Sequence, residues 1–388
     1  MSVPETKPSL ELLRSITDGS VLRLLMEEGR MTRAEIAVRT GISKTTISES
    51  MRRLGAAGMV VDTGERTSGR GRSGLYYALA EGMGCALVAS ISPAGVVAEA
   101  VDAVGHVVAR AELPLERAAG KARAAEVLGA AARQVRDAAP GDVRASVVSA
   151  ADPVDRHTGR LVQLPDAPFL VGDLDPVAIL TSEVGGEVLV DNDVNWAARA
   201  ERQSGSAVDV DDFVYVHLGE GLGCAVVSDG KVRRGHRGVA GEIAHVLTRG
   251  PSGSTVPFTE VFAELGLRRP GSTAIDVDAL RAAVQGSDAL AERVVAGLAD
   301  AVSGVLMAAI AFGDPQLVVL GGSWAGLPPF VEALHERRGA WPRRLPVEVS
   351  ALPESPELVA ARGQAVEMLR SAIVETAREG SVTSEPRE

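Results

Sequence analysis

The sequence predicts a mainly helical N-terminal domain followed by a larger body of the α/β class. Apolar residues recur at helical spacing through roughly the first 60 residues. From about Gly84 onward, short apolar strands alternate with glycine turns and alanine-rich helices, which is the pattern of an α/β fold. At 388 residues with 46% apolar residues, the chain is long enough for more than one domain, each with its own core.

Composition and charge narrow the class of protein. The net charge of −11 divides into +3 for residues 1–80 and −14 for the rest, which suits a protein that touches DNA with one end. The chain lacks a signal-peptide pattern and an apolar run of membrane-spanning length, so we expect a cytoplasmic protein with no membrane partner. Cys85 and Cys224 lack the spacing of a disulfide framework or a zinc site, and we interpret them as small buried residues.

The N-terminal segment begins with two predicted helices. Residues 10–28 have the spacing of a packing helix, with a break expected at Asp18–Ser20. Thr32 and Glu35 form a capping box, in which each side chain satisfies a backbone amide of the other's residue. This box predicts a short second helix that ends at Arg39, before a turn.

A third helix is predicted from Ser43, and it carries the candidate DNA-reading residues. Ile47, Met51 and Leu54 form one buried stripe. In a helix-turn-helix, the first turns of this second helix of the motif meet base edges in the major groove. The exposed face supplies Lys44, Thr45 and Ser48 for bases, and Arg52 and Arg53 for phosphates. A solvated helical bundle is the alternative interpretation of these helices alone.

The segment that follows favours the DNA-binding interpretation. Residues 59–62 and 75–79 read as two strands, and the segment between them is rich in Gly and Arg. Such a flexible basic tip forms a wing whose Arg70 and Arg72 can enter the minor groove, where the potential is most negative. Residues 10–80 resemble the winged helix-turn-helix of bacterial repressors.

The body opens with a predicted meander of three strands, over residues 85–91, 95–105 and 106–115. A helix from Arg117 to Ala139 and a strand over residues 144–150 follow. A long loop comes next, with turn chemistry at Asp152-Pro153. These elements predict the first part of an α/β lobe.

Polar side chains follow the next buried strand, which covers residues 188–190. Asn192 and Asp193 therefore emerge at the carboxyl end of a strand, where open α/β sheets place their ligands. A carboxylate can accept a proton from a sugar hydroxyl, and an amide can fix another hydroxyl. Caps and turns use the same residue types, so this cluster alone leaves both interpretations open.

Two further blocks come after a strand over residues 213–218. Gly219, Gly221 and Gly223 predict a tight hairpin whose backbone amides can face a phosphate, although hairpins use such glycines freely. Glu242 and His245 are three residues apart, so a helical segment would place both on one face, where they can bracket sugar hydroxyls. A surface ion pair is the plainer interpretation of that spacing.

Together these blocks resemble the ROK family of repressors, open reading frames and sugar kinases, which share an actin-like, two-lobed ATPase fold. The resemblance covers residues 10–375. It implies a winged helix-turn-helix domain at 1–80 and a two-lobed sugar-kinase-like domain at 81–375, whose C-terminal helix returns to the first lobe. Residues 320–322 resemble the family's adenosine-side turn. We expect the polar residues 376–388 to form a flexible tail.

The resemblance also implies roles for individual residues. Asn192 and Asp193 would hold the sugar, and Asp193 matches the catalytic base of the kinases. Glu242 and His245 would contact further hydroxyls. Glu260 would be a last sugar-binding glutamate.

The nucleotide side departs from the family's kinases, which begin the first lobe with an aspartate, two glycines and a threonine that hold the ATP phosphates and metal. Residues 90–94 of this chain read Ser-Ile-Ser-Pro-Ala, with no carboxylate for magnesium and no amide donor at Pro93. Glu220 adds a negative charge beside the would-be phosphate. Because phosphoryl transfer depends on positioning and charge neutralisation, we expect no ATP binding, no enzymatic activity and a vestigial glycine hairpin.

The segment after His245 lacks the cysteine block with which many family members bind a structural zinc ion. We therefore expect no zinc, no other metal and no cofactor.

The sequence predicts a DNA-binding transcriptional regulator, a repressor of carbohydrate-related genes, that senses a sugar or sugar phosphate. Because one winged head offers limited affinity and paired half-sites need two, we expect a homodimer or tetramer on a double-stranded DNA operator. Two alternatives stay open. One is an active ATP-dependent sugar kinase with a fused DNA-binding domain, and the other is a sugar-independent regulator that uses its body only to dimerise.

Overall fold

The computed structural model describes residues 10–67, 74–117, 119–164, 169, 171–353 and 355–382. Within these ranges the chain forms an N-terminal head and two lobes of similar plan. The predicted fold class is confirmed, because a mainly helical head precedes two lobes in which helices cover mixed sheets.

The head combines helices with a small sheet. Its elements are α1 (Leu10–Glu28), β1 (Arg30–Thr32), α2 (Arg33–Thr40), α3 (Lys44–Ala56), β2 (Val60–Arg66) and β3 (Leu75–Leu79). The strand order is β1-β3-β2, so β1, which the sequence did not predict, forms an edge of the wing sheet. The capping box is present: the Thr32 hydroxyl accepts from the Glu35 amide at 3.3 Å, and the Glu35 carboxylate accepts from the Thr32 amide at 2.7 Å.

The predicted break at Asp18–Ser20 is wrong, because α1 continues through it. Asp18 has only 3% of its surface exposed, and it accepts hydrogen bonds from Ser50 and Arg53. Gly19 faces the C-terminal helix, where an added Cβ would lie 3.1 Å from Cγ1 of Val374. Residues that are typical of a turn are therefore used here to pack one helix against two others.

The first lobe contains a mixed sheet of order β6-β5-β4-β7-β8. Its elements are β4 (Cys85–Ser92), β5 (Gly95–Val101), β6 (Val107–Leu113), α4 (Lys121–Ala138), β7 (Val143–Ala150), α5 (Pro176–Glu183) and β8 (Glu187–Asn192). The predicted meander is confirmed by the antiparallel pairs β4–β5 and β5–β6. The predicted helix start at Arg117 is wrong, because α4 begins at Lys121 and Arg117 lies in the preceding loop.

The second lobe repeats this plan with the sheet order β11-β10-β9-β14-β15. Helix α6 (Asp193–Ser204) leads from β8 into it. Its elements are β9 (Phe213–Leu218), β10 (Leu222–Ser228), β11 (Lys231–Val232), β12 (Leu247–Arg249), β13 (Thr255–Pro257), α7 (Phe258–Glu264), α8 (Val277–Gln285), α9 (Ala289–Gly313), β14 (Leu317–Gly321), α10 (Pro328–Arg338) and β15 (Val347–Val349). In both sheets an antiparallel meander pairs with parallel strands, so the carboxyl ends of the central strands of each lobe face the cleft between them.

Among the described residues, α9 is the helix with the length and apolar composition of a membrane span. Half of that apolar stretch is buried inside the protein. Its buried residues, among them Leu298, Val302 and Leu306, belong to the core of the second lobe. Packing of that core accounts for the apolar composition of the buried side.

The C-terminal helix α11 (Pro356–Val382) returns to the first lobe and continues beyond it to the head. It packs against β4, β7 and α6 and then against α1. The expectation of a flexible tail from residue 376 is wrong as far as Val382, because α11 extends that far; residues 383–388 lie outside the described ranges. Apolar contact with α1 and the sheet explains why this end of the chain is helical.

Head, first lobe and α11 share one hydrophobic core. The cluster contains buried side chains from all three parts: Leu22, Leu25 and Ile47 from the head, Val88 and Val147 from the sheet, and Leu369 and Ile373 from α11. Arg370 adds two hydrogen bonds, to the carbonyl of Met26 at 3.1 Å and to that of Ala103 at 2.9 Å. Residues on both sides of the predicted domain boundary near residue 80 therefore pack into the same hydrophobic core.

We expect Arg53→Ala to lower the free energy of unfolding by about 2 kcal/mol, because it leaves the buried Asp18 carboxylate without its charged partner and with only the Ser50 hydroxyl. Urea denaturation of the full chain measures this. The exposed neighbour Arg52 provides the matched control, and Arg52→Ala should change stability by less than about 0.5 kcal/mol. Equal stabilities for the two variants would show that the ion pair with Asp18 does not hold the head together.

Candidate functional site

A cleft between the lobes contains most of the predicted sugar-side residues. Its cavity of about 320 Å³ lies within the range of roughly 300–1,000 Å³ typical of small-molecule sites. The predicted residues that line it are Asn192, Asp193, Gly221, Gly223, Glu242 and His245, and neither Gly219 nor Glu260 is among them.

The junction of β8 and α6 places Asn192 and Asp193 in the cleft. Asn192 caps α6, since its side-chain oxygen accepts from the Val194 amide at 3.0 Å. Its side-chain nitrogen donates to the carbonyls of Ala150 and Asp152, both at 3.2 Å. Because these backbone bonds engage both ends of the Asn192 amide, its main effect is to fix the strand end, and Asp193 is the better placed of the two to meet a ligand.

Carboxyl groups from separate segments, Asp152, Asp193 and Glu242, face this end of the cleft. Burial raises the pKa of each to about 7, and repulsion between neighbouring carboxylates adds to the effect on Asp152 and Asp193. For Asp193 the Glu357 carboxylate contributes most to that repulsion. Near neutral pH each carboxyl therefore exists in both protonation states, so it can donate to a sugar hydroxyl or accept from one.

Sequence reasoning missed Asp152 and His217, which line the cleft, and Glu357, whose charge acts on Asp193. Asp152 follows the end of β7 just as Asp193 follows β8, so the rule that found one would have found the other. His217 lies near the end of β9, and burial lowers its pKa to about 4, which keeps the ring neutral. Glu357 lies in the first turn of α11, far along the chain, and no local pattern indicates that its charge acts on Asp193.

A close backbone contact holds Glu242 and His245. The segment is a short 3₁₀ turn (Ile243–His245) with Glu242 just before it, so the two side chains do not share an α-helical face. Gly241 has φ +93°, and an added Cβ would lie 1.8 Å from the Cys224 carbonyl oxygen, which only glycine avoids. This contact docks the turn onto β10, with Glu242 partly buried in the cleft and His245 exposed at its edge.

The structure does not place Glu260, the last sugar-binding glutamate that the resemblance implies, among the residues that line the cavity. Glu260 lies on the outer side of α7, where its carboxylate pairs with Arg268 at 3.0 Å. The preceding residue, Thr259, lines the cavity instead. Successive residues of an α-helix point about 100° apart, so a difference of one position turns a side chain away from the cleft.

The other end of the cleft is formed by the β4–β5 hairpin and the tip of the β9–β10 hairpin. We call it the nucleotide end, because the family resemblance implies that these segments correspond to those that hold the ATP phosphates in the kinases. In the first hairpin, Ser92 pairs with Gly95 across Pro93 and Ala94. The Ser92 hydroxyl accepts a hydrogen bond from the Ala94 amide at 3.3 Å, and Pro93 has no amide hydrogen. This turn thus offers no amide from either central residue to a ligand.

Packing explains two of the three hairpin glycines. An added Cβ at Gly223 would lie 2.7 Å from the Val194 side chain at the start of α6. At Gly219 it would lie 2.5 Å from the His217 ring. Their alternation in sequence therefore follows from close approach within the protein.

The described residues contain no group of three or more His, Cys, Asp or Glu side chains arranged to hold a metal ion. Burial raises the pKa of the Cys224 thiol to about 12 and that of Cys85 to about 11. Both therefore stay protonated, whereas a metal ligand must be a thiolate.

The head presents most of the predicted DNA-reading residues. Lys44, Thr45 and Arg52 are exposed on α3, and Ser48 is half-buried with its hydroxyl donating to the Lys44 carbonyl at 2.8 Å. Arg53, predicted to contact phosphate, instead turns inward to Asp18. The predicted wing contacts, Arg70 and Arg72, lie outside the described residues.

Comparison with known proteins bears on this combination of a helical head and a polar cleft. The ROK family model matches residues 96–344, which is more than half of the chain. The chain belongs to the ROK family. A winged helix-turn-helix DNA-binding model matches residues 14–61, so the head of this ROK protein is a winged helix-turn-helix domain.

Relatives of this ROK protein include enzymes and regulators. It is 28% identical over 203 residues to a beta-glucoside kinase of Listeria monocytogenes, covering 50% of this chain and 69% of the kinase. It is 23% identical over 237 residues to a xylose repressor of Caldicellulosiruptor bescii, covering 60% of this chain and 59% of the repressor. A solved ROK family transcriptional regulator, a homologue of Escherichia coli Mlc, has the same fold, with a TM-score of 0.63, 19% identity and coverage of 94% of this chain and 99% of that one.

The raised pKa of Asp152 predicts how stability depends on pH. The folded state holds the proton more tightly than the unfolded chain does, so this contribution to stability is complete below the ordinary carboxyl range and is lost as pH rises through about 7. We expect Asp152→Asn, which is neutral and similar in shape, to melt at least about 2 °C above the wild type at pH 8 and close to it at pH 4. Scanning calorimetry measures both. The exposed Glu260→Gln serves as control, and a pH-independent shift for Asp152→Asn would contradict the assignment.

Proposed function

We propose that this ROK protein is a transcriptional regulator, a repressor of carbohydrate-related genes, whose cleft binds a sugar and thereby changes the affinity of the head for its operator. One observation carries this: a winged helix-turn-helix with an exposed polar recognition helix shares a hydrophobic core with a lobe whose cleft is lined by groups suited to sugar hydroxyls. A protein that binds a DNA operator would be located in the cytoplasm. The regulators among its relatives favour the same class.

The chemistry of the cleft supports a polyhydroxylated ligand. Asp152, Asp193 and Glu242 come from different segments, so they can meet hydroxyls on different sides of one ring. Each carboxyl can donate or accept near neutral pH, as a hydroxyl can, and His217 and His245 add ring nitrogens along the same cleft. A site of this kind distinguishes sugars by the directions of their hydroxyls.

The nucleotide end supports binding without phosphoryl transfer. Pro93 has no amide to offer, and the Ala94 amide is already bonded to Ser92. No carboxylate stands at this turn to organise a metal ion, and Arg117 at the same end of the cleft is already paired with Glu220. Since phosphoryl transfer relies on amides, metal and positive charge around the phosphates, each of these features lowers the expected rate.

In this proposal α11 connects the cleft to the head. Its first turn carries Glu357, whose charge acts on Asp193. About 20 Å further along, Arg370 bonds to the Met26 carbonyl at the end of α1. A ligand that favours one arrangement of the lobes would therefore shift α11 and the head together, and its effect equals its differential affinity for the two arrangements.

Two copies of the chain would occupy a paired operator. A single recognition helix covers one half-site, and dimeric helix-turn-helix proteins place two such helices about one DNA turn apart. A rotation of the heads would change that spacing, which makes operator affinity sensitive to the arrangement of the lobes.

Two other functions can be tested directly. The kinase relative and the position of Asp193 favour a sugar kinase, for which ATP-dependent phosphorylation of a hexose at about 1–100 per second would be decisive. The third possibility, a body that only dimerises, requires that no sugar binds the cleft.

We expect a sugar to change operator affinity by about 5- to 150-fold in the wild type and to have no effect on His245→Ala, because this variant removes a hydroxyl-binding group at the cleft edge. Fluorescence anisotropy with a DNA fragment selected for binding, across a panel of pentoses and hexoses, measures the change. Glu260→Ala provides the matched control, since Glu260 lies outside the cleft and should leave the response intact. A wild type whose DNA affinity no sugar alters would overturn the sensing part of the proposal.

A further inference from the structure

Two arginines converge on the carboxylate of Glu220 at the nucleotide end of the cleft. Arg117, from the loop before α4 in the first lobe, donates a hydrogen bond to the Glu220 oxygen Oε1. Arg269, from the second lobe, places its Nε 3.4 Å from the same oxygen. The Glu220 side chain is 22% exposed, so most of its surface is covered by these partners and the hairpin. One ion-paired cluster therefore bridges the lobes where the cleft ends.

Both lobes hold this cluster firmly. The carbonyl of Glu220 accepts a hydrogen bond from the Ile275 amide at 2.9 Å, and the indole of Trp324 donates to the Gly219 carbonyl at 3.0 Å. On the other side, Leu115 is buried in the first-lobe core two residues before Arg117. The tip of the hairpin and the arginine loop are thus fixed by contacts that do not depend on the ion pair.

Arg117 lines the cleft, and two guanidinium groups that meet at one point are suited to an anion such as phosphate. Here the protein's own carboxylate occupies that position. A phosphorylated ligand would have to separate Glu220 from Arg117 and Arg269 and then lie beside the displaced negative charge. An uncharged sugar held by Asp193 and Glu242 meets no such cost.

We infer that the Glu220 carboxylate occupies an anion site at the nucleotide end of the cleft. The cleft therefore binds uncharged sugars and rejects phosphorylated ones. The sugar part rests on the proposed function, whereas the occupied anion site does not. Glu220 is in this sense a specificity-determining residue, and the inference narrows the ligand from sugars and sugar phosphates to neutral sugars.

Inorganic pyrophosphate tests the anion site without any sugar or DNA. We expect Glu220→Gln in the full chain to bind pyrophosphate at least about tenfold more tightly than the wild type by titration calorimetry, because the arginines lose their internal partner. Glu220→Ser should show the same gain, which guards against a folding defect peculiar to one variant. Adding Arg117→Gln to Glu220→Gln should abolish the gain, since the first-lobe half of the site is then missing.

Glu116→Gln is the matched control, because it removes the same charge from an exposed side chain next to Arg117 in the loop before α4. A gain as large for Glu116→Gln, or wild-type binding as tight as that of Glu220→Gln, would overturn the inference. Because the readout is pyrophosphate affinity, the inference can fail while sugar still alters operator binding, and it can hold when no sugar does.

Discussion

The packing of α11 against α1 and the first-lobe sheet is the interaction on which the arrangement of this protein depends. Leu369, Ile373 and Val374 lie in the same buried cluster as Val21 and Leu25 of the head. Burial of each such side chain contributes about 1.5–3 kcal/mol, so the head is held to the lobe by far more than a flexible linker would provide. The head therefore cannot turn without the first lobe and α11. Any motion of that lobe relative to the second one is delivered to the recognition helix.

The cleft between the lobes has two ends of opposite electrostatic character. At one end buried carboxyls hold protons near neutral pH because burial disfavours their charged forms. At the other, the Glu220 carboxylate lies between Arg117 and Arg269, which both form ion pairs with it. The first end suits hydroxyl groups, whereas at the second end the arginines are already paired with an internal carboxylate. This division supports the proposal that the cleft binds a sugar without phosphoryl transfer.

Much of the fold and part of the site follow from local patterns. The capping box at Thr32, the meander and the strand end at Asp193 were predictable because each depends on residues adjacent in sequence. The roles of Arg53 and Gly19 could not be predicted because their partners are distant in sequence. Asp18 lies 35 residues before Arg53, and Val374 is separated from Gly19 by most of the chain. The position of Glu260 outside the cavity lining has a third cause, since successive residues of a helix face different directions and Thr259 takes the cavity side. His217 lines the cleft and Glu357 comes near Asp193 only through tertiary folding, which local sequence patterns do not reveal.

The central claim is that the cleft and the DNA-reading head form one coupled system. Coupling of this kind is reciprocal, so a sugar that changes operator affinity must itself bind with an affinity changed by the same factor when operator is present. Titration calorimetry of the sugar into the free protein and into the protein–operator complex measures this directly. The account predicts dissociation constants that differ by about 5- to 150-fold. A sugar that binds in the cleft with the same constant in both states would contradict it.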